Sequence, residues 1–190
     1  AEDANEDGAA QGEGEEGVSE AYIFMTGENR WMEYNDWPPE NAEETTIFLQ
    51  ADGGIAFSEP EEKKSFSEYI SDPDKPVPYL QGVHLRRDPV YMIDDQRFAS
   101  RRPDVLVFET EALAEDITLT GPVTADLYVS TTGTDADFIV KIIDVFPDKL
   151  IPPANADTDV PLGGYQMLVR GEVMRGKYRN SFEDPEPFMP

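Results

Sequence analysis

A hydrolase that works through an activated serine needs a base to take its proton. The chain holds one histidine, His84, in the run Gln81-Gly82-Val83-His84-Leu85. A lone histidine between proline-rich turns reads as a surface or hydrogen-bonded side chain. The nearest approach to a nucleophile elbow is Gly17-Val18-Ser19-Glu20-Ala21. It lies in an acidic arm with no apolar strand before it, so nothing holds the serine on a strand-to-helix turn. There is no cysteine, which excludes disulfides and thiolate chemistry, and no His/Cys cluster that could ligate zinc. Asp135, Asp137, Asp144 and Asp148 suggest calcium, but EF-hand spacing is absent and Asp144 falls inside an expected strand. Turn acids with a structural role are the better reading. Asp94-Asp95 has the chemistry for acid–base work, yet among 40 acidic residues such pairs arise by chance. No glycine-rich phosphate loop precedes a helix. The reading is therefore of a chain with no catalytic residue, no metal and no cofactor.

The basic residues are more informative. Arg97, Arg101 and Arg102 crowd into Gln96-Arg97-Phe98-Ala99-Ser100-Arg101-Arg102-Pro103-Asp104. In a chain with 15 basic and 40 acidic residues they are expected to pair with carboxylates inside the fold or at a domain contact. Binding a substrate carboxylate is the sharper alternative. The net charge of −25 repels phosphate backbones and anionic lipid, which argues against nucleic-acid and membrane partners. It reads as a solvated, self-repelling surface, with recruitment of a cationic substrate as the alternative. No stretch is long and apolar enough to span a membrane as a helix.

The elements that must carry these residues are short. Ala1–Glu20 is a low-complexity run of Glu, Asp, Gly and Ala, read as a flexible arm or interdomain linker. Residues 21–190 are read as one domain. Strands are expected at Ala21–Met25, Thr45–Gln50, Ser65–Ile70, Val105–Thr110, Val123–Ser130, Phe138–Phe146, Tyr165–Arg170 and Glu172–Arg175. In Val123–Ser130, Val123, Ala125, Leu127 and Val129 share one face, the period-2 pattern of a half-buried strand. Phe138–Phe146 is apolar on both faces over most of its length and reads as a central strand. Asp52-Gly53-Gly54, Asp72-Pro73-Asp74, Thr132-Gly133, Pro147-Asp148 and Pro152-Pro153 are turns. Glu40–Glu44 and Asp94–Ser100 have the length of a helical turn or two. Many short strands with proline-rich connections make an all-β sandwich or jelly roll the expected architecture.

Several stretches, taken in order, resemble a known module. Thr26-Gly27-Glu28-Asn29-Arg30-Trp31 followed by Trp37-Pro38-Pro39 is similar to the opening of the C-terminal domain of α-amino acid ester hydrolases. That family is related to cocaine esterase and X-Pro dipeptidyl peptidases. Ser71-Asp72-Pro73, Pro76-Val77-Pro78, Asp95-Gln96-Arg97 and Arg102-Pro103-Asp104-Val105-Leu106-Val107-Phe108 continue the resemblance. The run from Leu119-Thr120-Gly121-Pro122-Val123 through Asp135-Ala136-Asp137-Phe138 to Asp144-Val145-Phe146-Pro147-Asp148 carries it most strongly. Met167-Leu168-Val169-Arg170-Gly171-Glu172-Val173-Met174-Arg175, with Arg179, is similar to the glutaryl acylase-like branch. The resemblance implies a galactose-binding-like jelly roll packed on an upstream α/β-hydrolase domain and a helical cap. It implies serine hydrolysis of esters, amides or peptides of small acyl groups, with the catalytic residues upstream and none in this chain. It also implies that a loop at Gly82–Arg87 walls the acyl side of the pocket, with His84 and Leu85 as the wall residues. A periplasmic or secreted protein, compatible with a homo-oligomer, is implied as well. Members run on past the equivalent of Pro185-Glu186-Pro187-Phe188, so a sandwich missing terminal strands is expected here.

The competing reading is a carbohydrate-binding β-sandwich, because fold alone does not decide function. It would need Trp31, Tyr34 and Trp37 as exposed platforms rather than as core or interdomain packing.

Overall fold

The computed structural model describes residues 18–150 and 160–189. The acidic arm up to Gly17 and the Pro152-Pro153 turn lie outside these residues. The chain divides into two compact units: residues up to Thr45 with Ala114–Thr124, and Thr46–Leu113 with the residues from Ala125 onward. Among the described residues helix is confined to α1 (Arg97–Ser100) and to two 3-10 turns, Pro89–Met92 and Gly176–Tyr178. The remaining regular structure of these residues is β, in three antiparallel pairs, and the fold class is all-β as expected.

The first unit is built on a hairpin of β1 (Ala21–Met25) and β2 (Arg30–Tyr34), registered from Ala21 opposite Tyr34 to Met25 opposite Arg30. Asn29 closes the turn at φ 51°, a left-handed conformation that asparagine tolerates because its side chain bonds locally. Alternation puts Ala21, Ile23 and Met25 on a half-buried face and Tyr22, Phe24 and Trp31 on the other. Tyr22 stacks on Trp31 with centroids 4.8 Å apart, and Phe24 tilts against the same ring at 5.3 Å. β2 was not among the expected strands. Its residues Arg30-Trp31-Met32-Glu33-Tyr34 alternate only weakly in polarity, and the pairing with β1 supplies what their pattern does not.

In the second unit, β3 (Phe48–Leu49) pairs with β4 (Ile55–Ala56) around a turn in which Gly53 takes φ 88° and the Asp52 carboxylate accepts from Gly54 N at 3.0 Å. Gly54 bridges in parallel to Glu109, so the expected strand at Val105–Thr110 is reduced to one bridge. The long ladder joins β5 (Asp137–Val145) to β6 (Gln166–Arg175). β6 unites the two segments read separately on either side of Gly171. Ile142 opposes Arg170 while Ile143 opposes Leu168, so Val169 is the extra residue of a bulge that turns the strand. Gly176, the residue after β6, is buried, its N–H donating 2.9 Å to Ala136 O just before β5.

Ser65–Ile70 and Val123–Ser130 form no ladder among the described residues. Both have strand composition, but a strand is completed by a neighbour that takes its N–H and C=O groups. Glu40–Glu44 holds a single turn, with Ala42 N donating 2.9 Å to Pro39 O, and Asp94–Ser100 contains α1 as expected. Among the described residues few apolar side chains are buried, Leu80 and Ala99 being two of them. The apolar residues Ile139, Val145, Val169, Val173 and Met174 on the β5–β6 ladder stay exposed.

Candidate functional site

The segment from Tyr79 to Ile93 is a loop wound around one phenol. Tyr79 Oη donates 3.0 Å to Arg86 O and accepts 3.1 Å from Asp88 N, closing the loop across its base. Its ring takes the edge of Tyr91 at 5.9 Å and of His84 at 6.3 Å between centroids. Gly82 turns the tip at φ 93°, a conformation available to a residue without Cβ. His84 Nε2 lies 2.7 Å from Gln81 O, which ties the imidazole back onto the loop. The neighbours of His84 point outward: Val83 is 96% exposed and Leu85 100% exposed.

The loop is pinned to the sheet by a polar network. Asp94 accepts from Gln81 N at 3.3 Å. Gln96, 2% exposed, donates through Nε2 to Asp94 O at 2.8 Å and accepts from Lys141 Nζ on β5 at 2.7 Å. Its backbone N–H donates 3.0 Å to Gln166 O at the start of β6. Tyr165 Oη donates to Ile93 O. Burial lowers the Lys141 pKa against the opposing pull of Asp94. Burial raises that of Tyr165, and the charges of Asp95 and Asp94 add to it.

Arg97 and Arg102 carry the pairing expected of them. Arg97 Nε reaches Asp95 Oδ2 at 2.6 Å, and Arg102 forks onto Asp104 at 2.8 and 2.6 Å while also donating 2.9 Å to Lys75 O. Burial alone would raise the Asp95 pKa, but bonds from the Arg97 side chain and from the Arg97 and Gln166 amides outweigh it, so the carboxyl is held below its ordinary value. The Arg102 bond does the same for Asp104. Arg101 makes no such pair among the described residues.

A shallow groove, wide open to solvent, runs along the loop beside Tyr79, His84, Leu85, Arg86, Arg87 and Tyr91. It contains both residues named from the sequence, His84 and Leu85. The two tyrosines beside them carry no periodicity and were not singled out. The four aspartates weighed for calcium are spread along the second unit: Asp135 and Asp137 face Arg179 and Arg175, and Asp144 lies in β5. Among the described residues no cluster of three or more His, Cys, Asp or Glu is placed to hold a metal. Trp31 is 56% exposed with Tyr22 laid on its ring, and Trp37 meets Tyr34 edge-on at 5.7 Å.

Known proteins share this architecture. Cocaine esterase from Rhodococcus sp. (strain MB1 Bresler) is 34% identical over 177 residues, covering 89% of this chain and 28% of that protein. The crystal structure of an aminopeptidase from a marine sediment archaeon, Thaumarchaeota archaeon, superposes with a TM-score of 0.75 at 41% identity, covering 89% of this chain and 28% of its own. A selenomethionine-labelled α-amino acid ester hydrolase does so with a TM-score of 0.72 at 34% identity, covering 88% of this chain and 28% of that one. The chain thus spans little more than a quarter of the length of each of these relatives. Residues 16–190 match the domain described as the X-Pro dipeptidyl-peptidase C-terminal non-catalytic domain, and the chain belongs to that family.

Proposed function

We propose that residues 21–190 act as one accessory domain of a serine hydrolase of esters, amides or peptides of small acyl groups, preceded by the acidic arm as a linker. In this reading the chain supplies no nucleophile. It packs on an α/β-hydrolase domain with its helical cap, and the Gly82–Arg87 loop walls the acyl side of the pocket through His84 and Leu85. The observation that carries it is the fixed loop with Leu85 fully exposed at its tip, in a domain whose family is non-catalytic. The bare apolar residues of β5 and β6 support a packing partner, since exposed apolar side chains gain by burial against another surface.

The reading is tested in the complete hydrolase that carries this chain. Leu85→Ala enlarges the acyl side of the pocket. The ratio of kcat/KM for a bulky over a small acyl ester should rise by about tenfold, the size of effect a few methylenes produce in an apolar pocket. An unchanged ratio would remove the loop from the pocket. Carbohydrate binding has less support: Trp31 is 56% exposed, but Tyr22 covers one face of its ring at 4.8 Å, Tyr34 is half-buried, and the family matched is not described by sugar binding.

A further inference from the structure

The Tyr79–Ile93 loop takes its shape and its place from different residues. Its shape is internal. Tyr79 Oη bonds Arg86 O and Asp88 N, and the Asp88 carboxylate accepts from Val90 N at 3.0 Å. These bonds survive if the whole loop moves as a body. Its place is fixed from outside the loop. Asp94 Oδ2 accepts from Gln81 N at 3.3 Å, and Tyr165 Oη donates to Ile93 O. Leu80, between Tyr79 and Gln81, is buried.

Gln96 stands behind the Asp94 anchor. Its Nε2 donates 2.8 Å to Asp94 O, and its Oε1 accepts 2.7 Å from Lys141 Nζ on β5. Its backbone N–H donates 3.0 Å to Gln166 O on β6, and its carbonyl accepts from Ala99 N at 2.9 Å and Ser100 N at 3.1 Å. One residue thus spans both strands of the ladder and the start of α1. Both ends of its amide are used, and they are not interchangeable. Exchanging Oε1 and Nε2 would set a donor against the ammonium and an acceptor against a carbonyl oxygen. At 2% exposure a bond lost at this residue leaves its partner unpaired.

We propose that Gln96 is a positioning residue for the pocket wall: its amide holds the Gly82–Arg87 loop in place on the ladder, while Tyr79 sets only the shape of that loop. The inference rests on the reading of the loop as a wall and deepens it. Leu85 meets the acyl group, away from the bond that breaks. A displaced wall therefore removes binding that substrate and transition state share, which raises KM and leaves kcat. Acyl groups too short to reach the wall are unaffected.

Gln96→Glu separates position from stability. The carboxylate keeps an acceptor for Lys141 but has no N–H for Asp94 O. In the full 190-residue chain, hydrogen exchange should speed up about tenfold at the Gln81 amide and stay within about twofold at the Asp88 amide, whose bond lies inside the loop. In the complete hydrolase, KM for a bulky acyl ester should rise about tenfold, with kcat and the KM of an acetyl ester within about twofold of the parent. Asp94→Ala removes the next link, the acceptor for Gln81 N, from a half-buried position, and should give the same KM rise even if Gln96→Glu does not fold. Gly176→Ala strains the far end of the ladder and is the control for lost stability; it should move neither reading. Equal acceleration at both amides, an unchanged Gln81 amide, or a KM rise shared by Gly176→Ala overturns the proposal and leaves Gln96 a structural residue. Silence of Gln96→Glu and Asp94→Ala beside an intact Leu85→Ala effect on acyl selectivity sinks the positioning role and leaves the wall standing. Silence of all three in the hydrolase sinks both.

Discussion

The ammonium of Lys141 donates to Oε1 of Gln96 across 2.7 Å, joining the middle of β5 to a side chain only 2% exposed. Gln96 in turn holds Asp94 O, and Asp94 holds the Gln81 amide at the base of the groove loop. The position of the loop thus depends on a buried polar pair on the sheet. Such a pair is costly to break from one side, because the partner keeps its desolvation penalty and loses its bond. Replacing both ends by apolar groups of similar shape removes both terms.

Gln96→Leu should therefore destabilise the chain by about 1–3 kcal/mol, read from urea denaturation. Adding Lys141→Met to it should recover the part of that loss that comes from the stranded ammonium, because the depressed Lys141 pKa records a charge already penalised by burial, while the bond to Asp94 O stays lost. A double-mutant cycle isolates the coupling. Additive losses would mean that the two side chains act independently.

The ladder that carries Lys141 was legible because Phe138–Phe146 is nearly continuous in apolar residues and reads as a central strand. The pairing partner was legible too, but in two pieces, since Gly171 interrupts the pattern while the backbone runs through it opposite Lys141. Val123–Ser130 shows the limit of such reading. Its alternation is the cleanest in the chain, yet alternation specifies which faces a strand would have and not what it pairs with. The site divides the same way. That Arg97 and Arg102 pair with carboxylates could be expected from the charge balance alone, without the partners being named, and the same expectation failed for Arg101. His84 stood out as the lone histidine, but its place in a wall, with Leu85 and the rest of Gly82–Arg87, came forward only through resemblance; Tyr79 and Tyr91 stayed hidden, because a groove made by folding a loop onto a tyrosine leaves no period.

Tyr79 offers a test of that loop. Tyr79→Phe keeps the ring between Tyr91 and His84 and removes the hydroxyl that bonds Arg86 O and Asp88 N. Global stability should fall by only about 1 kcal/mol, as the site is exposed. Hydrogen exchange at the Asp88 amide should speed up far more than exchange along β5, since local opening is governed by local bonds. Equal acceleration in both places would mean that the loop and ladder open together.

Acid should weaken the second unit through Asp95 and Asp104. Both carboxyls have folded pKa values held below the unfolded value of about 3.9. Their contribution is present above that value and is lost as pH falls through the lowered folded pKa. Unfolding midpoints followed from pH 7 downward should therefore drop below about pH 4. Asp95→Asn should be less stable at neutral pH and show a shallower drop. A variant with the parent's full acid slope would show that Asp95 has the same proton affinity folded and unfolded.

The junction of β6 with β5 gives the sharpest steric expectation. Gly176 is buried, and a Cβ built on it would stand 2.5 Å from the carbonyl oxygen of Ala136 and 3.1 Å from Asp135 Oδ1. The first of these is backbone and cannot swing aside, and that same carbonyl accepts the Gly176 N–H. Gly176→Ala must therefore either break this bond or shift the start of β5, a distortion that costs about 1–3 kcal/mol. Gly27→Ala is the control, because nothing lies within 4 Å of its Cβ position. Thermal unfolding should separate the two, with the Gly176 variant melting several degrees lower. If both variants melt alike, the close approach of β6 to Ala136 does not set the register of the ladder.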